Sequence, residues 1–407
     1  MSGRGEDEPL ANDALQAYNA LLPAERAAFF DRVAQEFAPD PEVVGRCADS
    51  YRQDPSSVHL ARLLRAVEPP HQELFRRLNA APGGTRMLVA MRRHLLSEVA
   101  QHPQWTALEA DLARLLTGWF NRAFLELRRI DWQTSAAILE KLIEYEAVHE
   151  IQGWPDLRRR LEADRRCYGL FHPALPDEPI IFIEVALVEQ MSARVQPLVD
   201  PDSPVADPGS ATCAIFYSIT NCHEGLRGIP FGNFLIRRAA DELCREFPRL
   251  RTLATISPIP GFLGWLAARA RRNEPGPQDA ALSALMSKLE NPRWFADQNL
   301  GTQLQRELTS LCAYYLLHAK HGQEPLDPVA RFHLRNGARI ERLNWLGDTS
   351  ASGVQRSAGL TVNYLYRLDD LQRNFERYSR EHRIPASGQV ERQARQSFLA
   401  REQVRQQ

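Results

Sequence analysis

The chain has 407 residues, enough to bury more than one core, and 44% of them are apolar. Its 50 Lys plus Arg against 51 Asp plus Glu leave a net charge of −1, so whole-chain attraction to nucleic acid or to an anionic membrane is excluded as the organising interaction. Lysine occurs at Lys141, Lys288 and Lys320 alone, which leaves pyridoxal phosphate, biotin and other lysine-tethered cofactors almost no attachment point. The cysteines Cys47, Cys167, Cys213, Cys222, Cys244 and Cys312 form no CxxC pair. The start "MSGRGEDEPL" reads as neither a signal nor a transit peptide. Reduced thiols in a cytoplasm, with no structural disulfide or metal site, are therefore expected. No run reaches the roughly 20 apolar residues of a membrane helix.

Residues 10 to about 165 read as helices. "NDALQAYNALLPAERAAFFDRVAQEF", "HLARLLRAVE", "TRMLVAMRRHLLSEVA" and "WTALEADLARLLTGWFNRAFLELRRI" repeat apolar positions at helical spacing, separated by turn signals such as "EPPH" and "APGG". An all-α bundle over 1–165 is expected, and its histidines His59, His94 and His149 form no metal motif. From residue 166 the pattern changes. "EPIIFIEVAL" and "ATCAIFYSIT" read as buried strands, with the Pro-, Asp- and Ser-rich "VQPLVDPDSPVADPGSA" as a loop between them. "GNFLIRRAADELCREFP" follows as an amphipathic helix, then a strand ending at Ser257, the helix "FLGWLAARARR", and two further strands in "RFHLRNGARIERLNWLGD" and "GLTVNYLYRL". The fold class is α+β: a helical domain, 1–165, and a mixed-sheet domain, 166–407.

Two places carry candidate chemistry. Gly225, Gly228 and Gly232 cluster before a helix start, where free backbone amides and the helix dipole can hold a phosphate group without a lysine; the spacing is neither a P-loop nor GxGxxG, and a tight turn is the competing reading. In "TISPIPGF", Pro258 pushes Ser257 toward extended backbone at the end of a strand, where α/β sheets place chemistry; a helix cap is the alternative. His333 and Tyr366, in apolar surroundings, read by themselves as satisfied core residues. "HAKHG" brings His318 and His321 together without a carboxylate or cysteine, and the Arg- and Glu-rich tail from Gln372 reads as a solvated or intersubunit helix.

"AIFYSIT", "EGLRGIPFGNFLIRR", "ELCREFPRL", "TISPIPGF", "RFHLRNGARIERLNW" and "GLTVNYLYRL", in this order, resemble the malonyl-CoA decarboxylase family. The resemblance implies a helical domain used for association, as a homo-oligomer (dimer or tetramer), before a catalytic domain of the acetyltransferase (GNAT) fold. It implies decarboxylation of malonyl-CoA to acetyl-CoA and carbon dioxide with no cofactor. Carried over residue by residue, Arg227, Gly228, Ile229, Pro230, Phe231, Gly232 and Asn233 hold the coenzyme A moiety, Ser257 is the proton acceptor and His333 the proton donor, both in contact with substrate. Ser218 and Tyr366 fall on further active-site positions. Pro230 departs from the family, which often has a glutamate there; an acid that polarises the dyad is then absent or comes from elsewhere, Glu224 being one candidate.

Those residue types suit the reaction. Loss of carbon dioxide from a β-carboxy thioester leaves an electron pair that the thioester carbonyl holds as an enolate. The protein must supply orientation, donors for the oxyanion and one proton. An imidazole with its ordinary pKa of about 6.5 is a natural proton donor. Ser257 acts either as a base through His333 or by holding the carboxylate or enolate. An acyltransferase and a non-catalytic acyl-CoA-binding protein are the alternatives on the same scaffold.

Overall fold

The computed structural model describes residues 4–229, 231–271, 277–291 and 294–403, which divide into two compact units. The first holds the residues up to Glu126 together with Phe171–Ile180 and Asn221–Phe231; the second holds Leu127–Leu170, Ile181–Thr220 and the residues from Gly232 on.

The first unit is helical, as its apolar periodicity requires. Helices Arg4–Ala20, Pro23–Glu36, Pro41–Gln53, Ser57–Val67, Pro70–Ala80, Gly84–Glu98 and Thr106–Trp119 follow one another through short turns. Several open on a proline at their first positions, where its missing N–H costs nothing, and Asp40 and Ser56 cap two of them through their side chains. Phe30, Phe75, Leu88, Leu95, Trp105, Leu112 and Leu116 form the core. The hairpin of Pro41–Gln53 and Ser57–Val67 is different: neither helix has a buried residue.

The long helix expected across "WTALEADLARLLTGWFNRAFLELRRI" stops at Trp119. Asn121 accepts a hydrogen bond from the Ala123 amide (2.7 Å), capping a 3₁₀ turn, and "ELRRI" then runs as a strand. Turn chemistry at one asparagine thus overrides a periodic pattern. Residues 127–165, read as helical from the sequence, belong to the second unit and open on that strand.

The second unit is built on a mixed sheet. Its strands are β1 Glu126–Ile130, β2 Arg165–Phe171, β3 Ile181–Val188, β4 Cys213–Asn221, β5 Thr252–Thr255, β6 Ser257–Pro258, β9 Arg339–Asn344 and β10 Thr361–Tyr366, with a separate hairpin of β7 Lys320–His321 and β8 Glu324–Pro325. The sheet order is β1-β2-β3-β4-β5-β10-β6, and β9 pairs with β10. β4 and β5 are parallel; β2 with β3, and β10 with β5, β6 and β9, are antiparallel. This is the α+β architecture expected. One face of the sheet packs Ala186, Cys213, Ile215, Tyr217, Ala254, Ile256 and Leu365 into a core with Val195 and Leu198. The opposite face carries the alternate residues, Phe216, Ser218, Thr255, Ser257, Tyr364 and Tyr366.

"RFHLRN", expected as the start of a strand, is the end of helix Pro328–Arg335, and the strand begins only at Arg339. Asp327 caps that helix by accepting from the Ala330 amide, and Pro328 takes its first position. The break lies at Asn336 and Gly337, where a φ of +80° requires a residue tolerant of the left-handed region. Among the described residues no helix is long and apolar enough to cross a membrane.

Candidate active site

β5 and β6 are one strand interrupted at Ile256. Both pair with β10 in a single register, Leu365↔Ala254 and Tyr366↔Leu253 before the break, Val362↔Ser257 and Thr361↔Pro258 after it. At the break, side chains replace the ladder: Thr255 Oγ1 accepts from the Tyr364 amide (3.1 Å), and Asn363 Nδ2 donates to the Thr255 carbonyl (2.6 Å). On its other side β10 is irregular at the same level, with a register shift against β9 between Asn363 and Tyr364. Such irregularities re-aim side chains next to functional sites. Because the register with β10 is kept across the break, Ser257 stays on the same face as Thr255, with Pro258 fixing its extended backbone.

Ser257 Oγ donates to Thr255 Oγ1 (2.8 Å) and lies 3.1 Å from His333 Nε2, while His333 Nδ1 lies 2.7 Å from Tyr366 Oη. All three residues are buried. With the serine proton committed to Thr255, His333 Nε2 must donate to Ser257, and Tyr366 then donates to Nδ1. Every donor points from Tyr366 toward Ser257. The helix-cap reading of Ser257 does not hold: helix Phe262–Ala270 starts at Gly261 without a side-chain cap.

His333 lies in the last turn of its helix and stacks on Tyr364 at 4.4 Å. The helix dipole favours a charged imidazole by about 1 kcal/mol, whereas burial opposes it and pulls the pKa down to about 3, worth about 5 kcal/mol. Burial wins, and His333 is neutral at physiological pH. The sequence argument from an ordinary imidazole pKa near 6.5 is corrected on this point. Burial likewise raises the Tyr366 phenol well above its usual value, so it stays protonated. No carboxylate enters this chain of hydrogen bonds among the described residues.

The parallel ladder of β4 and β5 runs from Cys213↔Thr252 to Phe216↔Thr255, gains one more bond from the Ile256 amide to the Phe216 carbonyl (3.2 Å), and stops, while β4 continues to Asn221. The strands open at their carboxyl ends, where sheets of this kind receive ligands. Continuing the register by one pleat sets Ser218 level with Ser257 on the same face. Ser218 Oγ donates to Glu146 Oε2 (2.7 Å), as does Thr220 Oγ1 (3.2 Å). The structure therefore brings together Ser257, His333 and Tyr366; Ser218 lies two residues beyond the last paired residue of β4, Phe216, and is bound to Glu146 rather than to these three. Thr255, Tyr364 and Glu146 were missed: nothing in "EYEAVHE" marks Glu146, because its partners lie 72 and 74 residues away.

The glycine-loop residues up to Phe231 belong to the first unit, where helix Gly84–Glu98 holds the start of the loop. Arg92 Nη1 donates to the Gly225 carbonyl (2.7 Å), and Phe231 packs on Phe120. Gly228 has a φ of +87°, Ile229 is buried and Arg227 is exposed. Glu224 is exposed on a 3₁₀ turn. Pro230 lies outside the described residues, as do the side chains of Gly232 and Asn233 at the start of helix Gly232–Glu246. A Cβ on Gly225 would overlap the Val89 carbonyl oxygen. Gly225→Ala is expected to cost about 1–3 kcal/mol, read as a lowered melting temperature.

Profiles of the malonyl-CoA decarboxylase N-terminal and C-terminal domains match residues 37–120 and 123–404. The chain belongs to the malonyl-CoA decarboxylase family. It is 34% identical over 411 residues to the mitochondrial malonyl-CoA decarboxylase of Rattus norvegicus, covering 93% of this chain and 84% of that one. Among solved structures, the malonyl-CoA decarboxylase of Rhodopseudomonas palustris superposes with a TM-score of 0.91 at 46% identity, covering 96% of each chain. That of Agrobacterium vitis does so with a TM-score of 0.90 at 41% identity, covering 97% of this chain and 96% of that one.

Proposed function

We propose that this protein decarboxylates malonyl-CoA to acetyl-CoA and carbon dioxide, as a carboxy-lyase on an acetyltransferase-like sheet, with the polarised chain Tyr366–His333–Ser257 as the proton source. The observation that carries this reading is the direction of those hydrogen bonds. Cleavage of the bond between the α-carbon and the carboxylate sends its electron pair into the thioester carbonyl, releasing carbon dioxide and leaving an enolate. Ser257 then turns its hydroxyl from Thr255, gives its proton to the α-carbon and accepts one from His333 Nε2, while Tyr366 gives its proton to His333 Nδ1; a proton from solvent returns Tyr366 to the phenol, and the neutral imidazole goes back to its Nε2–H tautomer before the next turnover. A thioester enolate is far more basic than a phenolate, so a neutral relay is acidic enough and no imidazolium is required. Arg227 to Asn233 are assigned to the coenzyme A moiety.

No cofactor enters this scheme, because the thioester is its own electron sink. We assign the protein to the cytoplasm on its cysteine usage. The exposed apolar residues Val58, Leu60, Leu64 and Val67 on the hairpin without buried residues support a homo-oligomer formed through the helical unit. The deciding experiment incubates purified protein with malonyl-CoA in the absence of added metal or acceptor amine. Equimolar acetyl-CoA and carbon dioxide are expected. Turnover that needs an acceptor would mean acyl transfer, and binding without turnover an acyl-CoA-binding protein.

A further inference from the structure

Glu146 follows helix Ala136–Tyr145 and is buried. Its Oε1 accepts from the amides of Val148 and His149 (2.8 Å each), and its Oε2 from the hydroxyls of Ser218 and Thr220. The turn that supplies these amides is itself fixed, since Arg160 Nη2 donates to the His149 carbonyl (2.8 Å) while its Nη1 pairs with Glu184 of β3 (2.9 Å). A carboxylate with four donors is an acceptor with nothing to give back. The single proton of Ser218 is therefore held by Glu146, and what Ser218 offers to the opening between β4 and β5 is lone pairs. By the register carried on from Phe216↔Thr255, Ser257 faces it across that opening; Ser257 accepts from His333 Nε2, and its own proton rests on the neutral hydroxyl of Thr255 (2.8 Å), a weaker hold than a carboxylate's.

We infer that Glu146 is a positioning residue for the decarboxylation, keeping Ser218 an acceptor so that the malonyl carboxylate is turned away from β4 and toward Ser257. The opposition of two hydroxyls, one backed by a carboxylate and one by an imidazole N–H, gives the cleft a polarity that a symmetric pair of serines would lack. A β-carboxylate beside Ser218 meets lone pairs and the charge behind them; beside Ser257 it meets a hydroxyl that can turn its proton from the neutral Thr255 oxygen to the anion, the stronger acceptor. This inference rests on the decarboxylase reading.

Glu146→Gln tests it without removing the side chain. Two amide donors face Oε1, so the glutamine must turn its oxygen to them and its NH₂ to Ser218 and Thr220, since the other orientation sets donor against donor. Ser218 then accepts from Gln, and its own proton, no longer held by a carboxylate but only within reach of the Thr220 hydroxyl (3.2 Å), can turn to capture the malonyl carboxylate on the wrong side. We expect kcat to fall about 10- to 100-fold while KM for malonyl-CoA stays or falls, the signature of a pose that binds without reacting. In a Ser218→Ala background the same change leaves kcat and KM as they are in Ser218→Ala alone. Ser218→Ala by itself lowers kcat several-fold at unchanged KM, and it carries the test should E146Q fail to fold. A wild-type rate in either single variant, a rise in KM at unchanged kcat, or an E146Q loss that persists without Ser218 overturns the inference. A wild type that releases no carbon dioxide refutes the decarboxylase reading instead.

Discussion

Replacing His333 with Gln is expected to lower kcat by about 10³-fold, within the range general acid–base groups contribute, while binding of acetyl-CoA is retained. Glutamine is near the volume of the imidazole and keeps a donor for Ser257 and an acceptor for Tyr366. What it cannot do is pass a proton from one side to the other. A loss smaller than about tenfold would mean that protonation of the enolate does not run through this residue. Because burial holds His333 neutral above a pH of about 3, kcat of the wild type should show no imidazole titration between pH 5 and 8. The same residue leaves a mark on stability. Unfolded, it takes up a proton as pH falls below about 6.5; folded, it does not until about 3. The unfolded state binds more protons across that window, so the His333 contribution is intact above pH 6.5 and is lost as pH falls, by about 1.4 kcal/mol per unit. Urea titrations of wild type and H333Q at pH 5 and 7 should differ by that slope.

The second large effect concerns Arg160, almost wholly buried, with Nε on Asp156 (2.8 Å) and Nη1 on Glu184 (2.9 Å). Burial pushes the Glu184 carboxyl up to about 7 even with Arg160 pulling it down. Arg160→Met leaves both carboxylates without their cation, and the expected loss is about 3–5 kcal/mol, a large part of the 5–15 kcal/mol that holds a typical domain folded. The urea midpoint is the readout. Adding Glu184→Gln to R160M should recover part of the loss, because the charge left stranded is then gone; no recovery would show that packing around the guanidinium matters more than its charge.

The alternation of helices and strands was legible because apolar periodicity is local. Ser257 was singled out by its proline-marked strand end, with a helix cap as the competing reading, whereas Tyr366 and His333 read as core residues and became candidates only through the family resemblance. What resisted reading was non-local. "FLELRRI" continues a helical pattern, and only the Asn121 turn and the neighbouring β2 make it a strand. "RFHLRN" is short and apolar, ambiguous between helix and strand until Asp327 caps it. The protonation state of His333 depends on Tyr364 and the sheet beneath it. Glu146 meets its hydroxyl partners only after the sheet has formed.

The place of β10 in the sheet bears on how the chain is made. β5, β6 and β9 all pair with it, yet Thr361–Tyr366 follow all three in the chain and leave the ribosome after them. Until then three strands wait with open edges, the situation in which nascent chains associate wrongly. The strand that carries Tyr366 is also the one that joins these three, so the proposed proton relay cannot form before the sheet is joined. Truncation before residue 361 should yield chains that hold their helices, bind chaperones and have no trace of activity.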